Sequence, residues 1–228
     1  MRGEPNLAAI AALIAEPGRA AMLIALADGR ALPAGELAAI AGLSAQGASA
    51  HLARLMAGGF LAMEREGRHR YYRLANMQVA AALEGLAGLA CPLDPARPVR
   101  SPAAEALRQA RSCYDHLAGE LGVQVASVLG ERGFLVATGS KRLAITAEGA
   151  AWFAATLGIE VDALRPGRHG VARRCLDWTA RRHHLAGPLG SQLLKRLLEI
   201  GWLGRLPETR ALRVTPLGRR RLRAALGI

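Results

Sequence analysis

Aromatic side chains are scarce: Phe, Trp and Tyr together make up 4% of the 228 residues. So few rings cannot line a groove on which the bases of single-stranded nucleic acid stack. Cysteine occurs only as Cys91, Cys113 and Cys175. Three scattered thiols build no disulfide framework. Glu4, Pro5 and Pro17 spoil a signal-like reading of the N-terminus, so the expected setting is the reducing cytoplasm. No apolar run approaches the roughly 20 residues that span a bilayer, and no membrane partner is expected. Catalytic signatures are missing too: there is no Gly-x-Gly-x-x-Gly, P-loop, Gly-x-Ser-x-Gly or His-Glu-x-x-His. Cys113 and His116 could pair as thiolate and imidazolium, but no orienting third group or oxyanion donor can be named. An enzyme is not expected.

Hydrophobic residues make up 51% and charged residues 21%, an ordinary globular balance. A formal net charge of +12 suggests a polyanionic partner. Lysine is nearly absent, at Lys141 and Lys195 only. Such arginine-, alanine- and glycine-rich usage also follows from a GC-rich genome, so the distribution of charge says more than its sum. Residues 1–90 hold 8 basic and 7 acidic groups, whereas residues 91–228 hold 22 and 11.

Prolines at 92, 95 and 98 mark a linker over 91–98, because proline cannot donate a helix hydrogen bond. It separates a domain over 1–90 from a C-terminal domain over 99–228. In the first, apolar spacing predicts helices through Leu7–Ile14 and Ala20–Ala27, and a short helix from Pro33 to the Gly42 cap. A fourth, capped by Ser44, carries Ala48, Leu52 and Leu55 inward and ends at Gly58-Gly59. Phe60–Met63 and Arg70–Leu74 then read as two strands, and a further helix begins near Asn76. The expected fold is mainly α with small β wings.

The second domain repeats itself. His116-Leu117-Ala118-Gly119 recurs 68 positions later as His184-Leu185-Ala186-Gly187. Gly133-Phe134-Leu135 recurs as Gly201-Trp202-Leu203, and Thr146 with Gly149 recurs as Thr215 with Gly218. Two tandem winged-helix-like copies, 99–159 and 160–228, are predicted, each reading helix, helix, hairpin, helix.

Two helices joined through Ala41-Gly42-Leu43-Ser44 form a helix-turn-helix. Its second helix would present Ser44, Gln46, Ser49, Ala50, His51 and Arg54 to double-stranded DNA. Arg65, Arg68, His69 and Arg70, at the tip of the strand pair, suit the phosphate backbone or minor groove. Residues 6–90 resemble the ArsR/SmtB family of bacterial winged-helix repressors. The likeness rests on Arg19-x-x-Met22-Leu23-x-x-Leu26, Glu36-Leu37-Ala38, Leu43-Ser44-x-x-x-x-Ser49-x-His51-Leu52-x-x-Leu55, Gly59-Phe60-Leu61 and Gly67-Arg68-x-Arg70-Tyr71-Tyr72-Arg73-Leu74. The resemblance implies a homodimer that packs through the helices at the domain ends and sets two recognition helices in successive major grooves of an operator. It also implies repression relieved by an effector. The family's metal sites are not reproduced: the third helix reads Leu37-Ala38-Ala39-Ile40-Ala41-Gly42 without a thiolate, and the last carries Asn76, Gln78 and Val79.

A different set of soft ligands lies in the second domain. Cys113, Asp115 and His116 fall in the first copy, with Cys113 and His116 expected on one helix face. Cys175, Asp177 and His184 fall in the second. Thiolate with imidazole suits Zn, Ni, Cu or haem iron, so these six residues are the candidate metal or effector site. Trp178 could equally line an apolar pocket, and Arg clusters at 165–182 and 205–223 could border DNA or hold an anion.

Overall fold

A computed structural model describes residues 6–27, 29–67, 69–89, 102–207 and 209–228. The proline-rich linker and Cys91 lie outside the described residues, as does Arg68. The chain divides into two compact units, 1–84 and 85–228.

The first unit is a winged helix-turn-helix. Helices α1 (Leu7–Ile14), α2 (Pro17–Ala25), α3 (Ala34–Ala41) and α4 (Ala45–Ala57) precede a three-stranded antiparallel sheet. Its order is β1 (Leu32–Pro33), β3 (His69–Leu74), β2 (Leu61–Glu66). Pro33 belongs to the edge strand and caps α3 instead of opening it. The core is Met22, Leu23, Leu26, Leu37, Leu52, Leu55 and Leu74. Ile24, within the apolar run of α2, is 56% exposed. Arg19 is buried because its guanidinium donates to the last carbonyls of α1, at 2.7 Å to Leu13 and 2.8 Å to Ala12. Glu16 caps α2 by accepting from the N–H groups of Gly18 and Arg19. Helix α5 (Met77–Leu89) follows and contains the boundary at 84/85, with Asn76 accepting from the Val79 N–H.

Beyond α5 the first described element of the second unit is α6 (Pro102–Gln109). Then comes a hairpin of β4 (Arg111–Cys113) and β5 (His116–Ala118), followed by α7 (Gly119–Glu131), a hairpin of β6 (Leu135–Ala137) and β7 (Arg142–Ile145), and α8 (Ala147–Leu157). The same order returns as β8 (Ala172–Leu176), β9 (His183–Ala186), α9 (Pro188–Glu199), β10 (Leu203–Arg205), β11 (Leu212–Val214) and α10 (Pro216–Leu226). Each stretch therefore reads hairpin, helix, hairpin, helix. This corrects the helical reading of Cys113–His116: the segment is a strand pair joined by Tyr114-Asp115. Strands β6 to β9 form one sheet, with β7 joined to β8. The residues just before β11 touch β4 through an isolated Arg111–Ala211 bridge, with the Ser112 N–H donating to the Arg210 carbonyl.

The recurring glycines have a packing cause. A Cβ on Gly149 would stand 2.4 Å from the Phe134 carbonyl oxygen, and one on Gly218 1.9 Å from that of Trp202. Thr146 and Thr215 cap α8 and α10 by accepting from the N–H groups of these same glycines. The core runs through both stretches, with Leu129, Phe153, Leu189, Leu193, Trp202 and Leu222 buried together. Helix α7 packs on β9 of the second stretch, and α9 packs on β5 of the first.

Candidate functional site

Helix α4 starts at Ser44, whose hydroxyl accepts from the Gly47 N–H at 3.2 Å. Ser44 is thus committed to capping. Ala48, Leu52 and Leu55 face the core, which turns Gln46, Ala50 and Arg54 outward. Spaced by four, these three form one exposed ridge. Ser49 is exposed, and its hydroxyl donates to the Ala45 carbonyl at 2.9 Å. His51 lies on another side. It is half-buried against α2, with Nδ1 3.1 Å from the Arg19 guanidinium and 3.4 Å from the Glu16 carboxylate. It braces the helix pair instead of facing outward with Gln46.

The wing adds charge. Arg65 and Arg70 are directly opposed across β2 and β3, both exposed, near the tip where Glu66 pairs with His69. Neither meets a carboxylate among the described residues, whereas Arg73 pairs with Glu64 at 2.7 Å. Like charges in opposed positions destabilise a sheet. Such a pair is what an anionic partner would relieve.

In the second unit, the hairpins converge. Cys113 and His116 are cross-strand partners in β4–β5, and Cys175 and His184 are cross-strand partners in β8–β9. One ligand atom from each of the four lies within 4.8 Å of all the others. The sulfurs are 3.9 Å apart, and the imidazole centroids 5.1 Å apart. Asp115 and Asp177 stand behind the rings: His116 Nδ1 is 2.9 Å from Asp115, and His184 Nδ1 is 3.4 Å from Asp177. Asp115 is itself held by the Ser191 hydroxyl at 2.6 Å.

Asp177 and Arg111 are fully buried and paired at 2.9 Å. The Asp177 carboxylate also accepts from the N–H groups of Gly119, Thr179 and Ala180 and from the Thr179 hydroxyl. Burial opposes its ionisation, but His184, the Arg111 charge and these donors hold it well below the usual carboxylate range. Burial likewise opposes charge on His184, and Asp177 and Cys175 together outweigh it and raise the imidazole. The Cys175 thiol is lowered, first by the hydrogen bond with Cys113, with burial working against it and the two imidazoles in favour. Arg111, Thr179 and Ser191 had no signal in the sequence. Trp178 packs its ring against the Arg111 guanidinium, 4.8 Å from Cζ to centroid, and so is part of this network.

Among the clustered arginines, those at 165, 168, 181, 182, 205, 213, 219, 220, 221 and 223 are exposed, and Arg210 is buried.

No protein-family model matches the sequence. The HTH-type transcriptional regulator YdfF of Bacillus subtilis (strain 168) is 44% identical over 215 residues, covering 94% of both chains. The chain belongs to the HTH-type transcriptional regulators. The regulator's N-terminal region is also 37% identical over 95 residues to CmtR of Mycobacterium tuberculosis, covering 42% of this chain and 80% of that one. Of solved structures, reduced HlyU from Vibrio cholerae is 30% identical, covers 38% of this chain and 90% of its own, and has a TM-score of 0.34. The cadmium metal-sensor CMTR from M. tuberculosis is 33% identical, covers 42% and 98%, and has a TM-score of 0.33. The stretch matched to CmtR contains the residues from Arg19 to Leu74 on which the resemblance to the ArsR/SmtB family rests.

Proposed function

We propose that the regulator is a homodimeric repressor. Helix α4 and the β2–β3 wing hold it on an operator, and a soft transition metal at the Cys/His cluster is its effector. The observation that carries DNA contact is the ridge of Gln46, Ala50 and Arg54, which the fold leaves open beside the unpaired Arg65 and Arg70. Gln46 can read an adenine edge by two hydrogen bonds, the Ala50 methyl suits a thymine methyl, and the arginines meet phosphates. Exposed arginines on α10 can add contacts that do not depend on base sequence.

Dimerisation is supported by apolar residues left in the open. Leu7 is 73% exposed and Ile10 43%, both on α1, where no residue is buried. Met77 on α5 is 41% exposed. Terminal helices with such faces are suited to covering one another in a second copy. An ion could act as effector by favouring one spacing of the paired recognition helices over another.

The test is a mobility-shift titration with DNA from upstream of the regulator's own gene, using wild type and Gln46→Ala/Arg54→Ala. Loss of the shift in a variant of unchanged circular dichroism supports the reading. An unaltered shift refutes it. A reporter from the same DNA should be silenced by the regulator and released by added metal.

A further inference from the structure

The Cys/His cluster fixes the ion more narrowly than its residue types do. This rests on the reading of that cluster as a metal site, but not on DNA binding. We infer that Cys113, His116, Cys175 and His184 are the four ligands of one tetrahedral zinc ion, and that Asp115 and Asp177 orient the imidazoles without touching it.

Three observations lead there. The first is free coordinating atoms. Among the described residues His116 Nε2 and His184 Nε2 are buried without a hydrogen-bond partner, as is His184 Nδ1; each Nδ1 faces a carboxylate, at 2.9 Å for His116 and at 3.4 Å, outside hydrogen-bond geometry, for His184. A buried ring nitrogen without a partner is costly, and here two of them share a cluster with two sulfurs. A carboxylate behind Nδ1 is the usual support of a metal-bound histidine, since it fixes the tautomer that leaves Nε2 open.

The second is size. With a Zn–S bond of about 2.3 Å, two sulfurs on one tetrahedron stand about 3.8 Å apart. Cys113 and Cys175 Sγ are 3.9 Å apart. Two sulfurs and two nitrogens are a structural zinc set and a poor one for Mg or Ca, which take oxygen. Haem does not fit: four donor atoms gathered within 4.8 Å of one another, with imidazole centroids 5.1 Å apart, leave no room for a macrocycle between the rings. Nickel and copper(II) in square-planar or tetragonal geometry go with nitrogen and oxygen ligands, whereas two thiolates with two imidazoles are the donor set of a tetrahedral zinc.

The third is strain. Tyr114 has φ 56° and Arg181 φ 54°, the only non-glycine residues of positive φ among those described. Both sit in the loops that join the paired strands of the ligand hairpins. Such backbone is strained for a residue with a Cβ, and strain of this kind gathers at ligand clamps. Each hairpin supplies one sulfur and one nitrogen, so the ion would fasten the two stretches of the unit together. Both carboxylates are anchored across the same divide. Asp115 is held by Ser191 of α9, and Asp177 by the Gly119 N–H that opens α7.

The experiment is X-ray absorption and elemental analysis of the full-length wild-type regulator loaded with Zn(II). One zinc per chain is expected, with a first shell of two sulfurs near 2.3 Å and two nitrogens near 2.0–2.1 Å. A shell of oxygens, or one sulfur alone, overturns the assignment. So does zinc content no higher than that of Cys113→Ser/Cys175→Ser. Co(II) replacement should give the strong visible bands of a tetrahedral site with thiolate charge transfer, and weak octahedral bands would overturn it. Asp115→Asn should keep the sulfur–nitrogen shell while weakening Zn(II) binding about 10–100-fold. An unchanged affinity, or loss of one first-shell atom, contradicts the positioning role. DNA mobility shifts on the same samples separate this result from operator binding: failure of either leaves the other standing.

Discussion

Asp177→Asn tests the buried network most directly. The substitution keeps shape and removes charge. It leaves the Arg111 guanidinium, which is fully buried, facing an amide in place of a carboxylate at 2.9 Å. Breaking a buried ion pair from one side costs about 3–5 kcal/mol, because the remaining charge stays dehydrated. The Asn oxygen can still accept from some of the four other donors, so the lower part of that range is expected. At about 2–4 °C per kcal/mol for a chain of this size, the transition should fall by roughly 10 °C. All three tryptophans, Trp152, Trp178 and Trp202, lie in the second unit. Urea unfolding followed by their fluorescence, with zinc chelated, therefore reads that unit alone. Arg111→Met should also destabilise, and Arg111→Met/Asp177→Asn should cost clearly less than the two single changes combined. A cost below about 1 kcal/mol for Asp177→Asn, or strict additivity in the double variant, would refute the claim that this pair is held dry and mutually dependent.

Three further outcomes follow from other parts of the fold. Gly218→Ala forces a Cβ to within 1.9 Å of the Trp202 carbonyl oxygen, and a backbone shift of this kind should cost about 1–3 kcal/mol or more in the same fluorescence assay. Arg65→Gln/Arg70→Gln should weaken DNA binding at all sequences alike and flatten its dependence on log salt by about one per lost phosphate contact, so an unchanged slope counts against the wing. Glu16 is lowered by the N–H groups of Arg19 and Gly18, with burial opposing and His51 and Arg19 assisting. Its capping bonds should therefore hold through and above the ordinary carboxylate range and weaken only as pH falls through its lower native value; an NMR titration of its carboxyl carbon that is centred at or above the ordinary value would show otherwise.

Much of the first unit was legible because its cues are local. Ser44 before Gly47, Gly42 after Ala41 and the strand-like runs Phe60–Met63 and Arg70–Leu74 each act within one turn or strand. His51 escaped the reading since its partners, Arg19 and Glu16, are supplied by a helix some 30 residues earlier. The β4–β5 hairpin is hidden in the sequence because Cys113-Tyr114-Asp115-His116 has no glycine or asparagine to mark its turn, and Tyr114 takes the positive φ instead. The four soft ligands were named from residue type, but their meeting depends on two hairpins brought together by packing. No spacing within either segment encodes it. Arg111 was missed for the same reason: its acidic partner is 66 positions away.

The exchange of helices between the two stretches of the second unit bears on how the chain is made. Helix α7 has its strand bed in β9, and α9 has its bed in β5. A ribosome that has delivered only the first stretch has therefore delivered Leu117, Leu129 and Phe153 before the second-stretch residues that complete their cluster. Assembly waits until β9 and α9 have emerged, and it then closes both stretches in one step. During that interval the nascent polypeptide is open to aggregation and to chaperone capture.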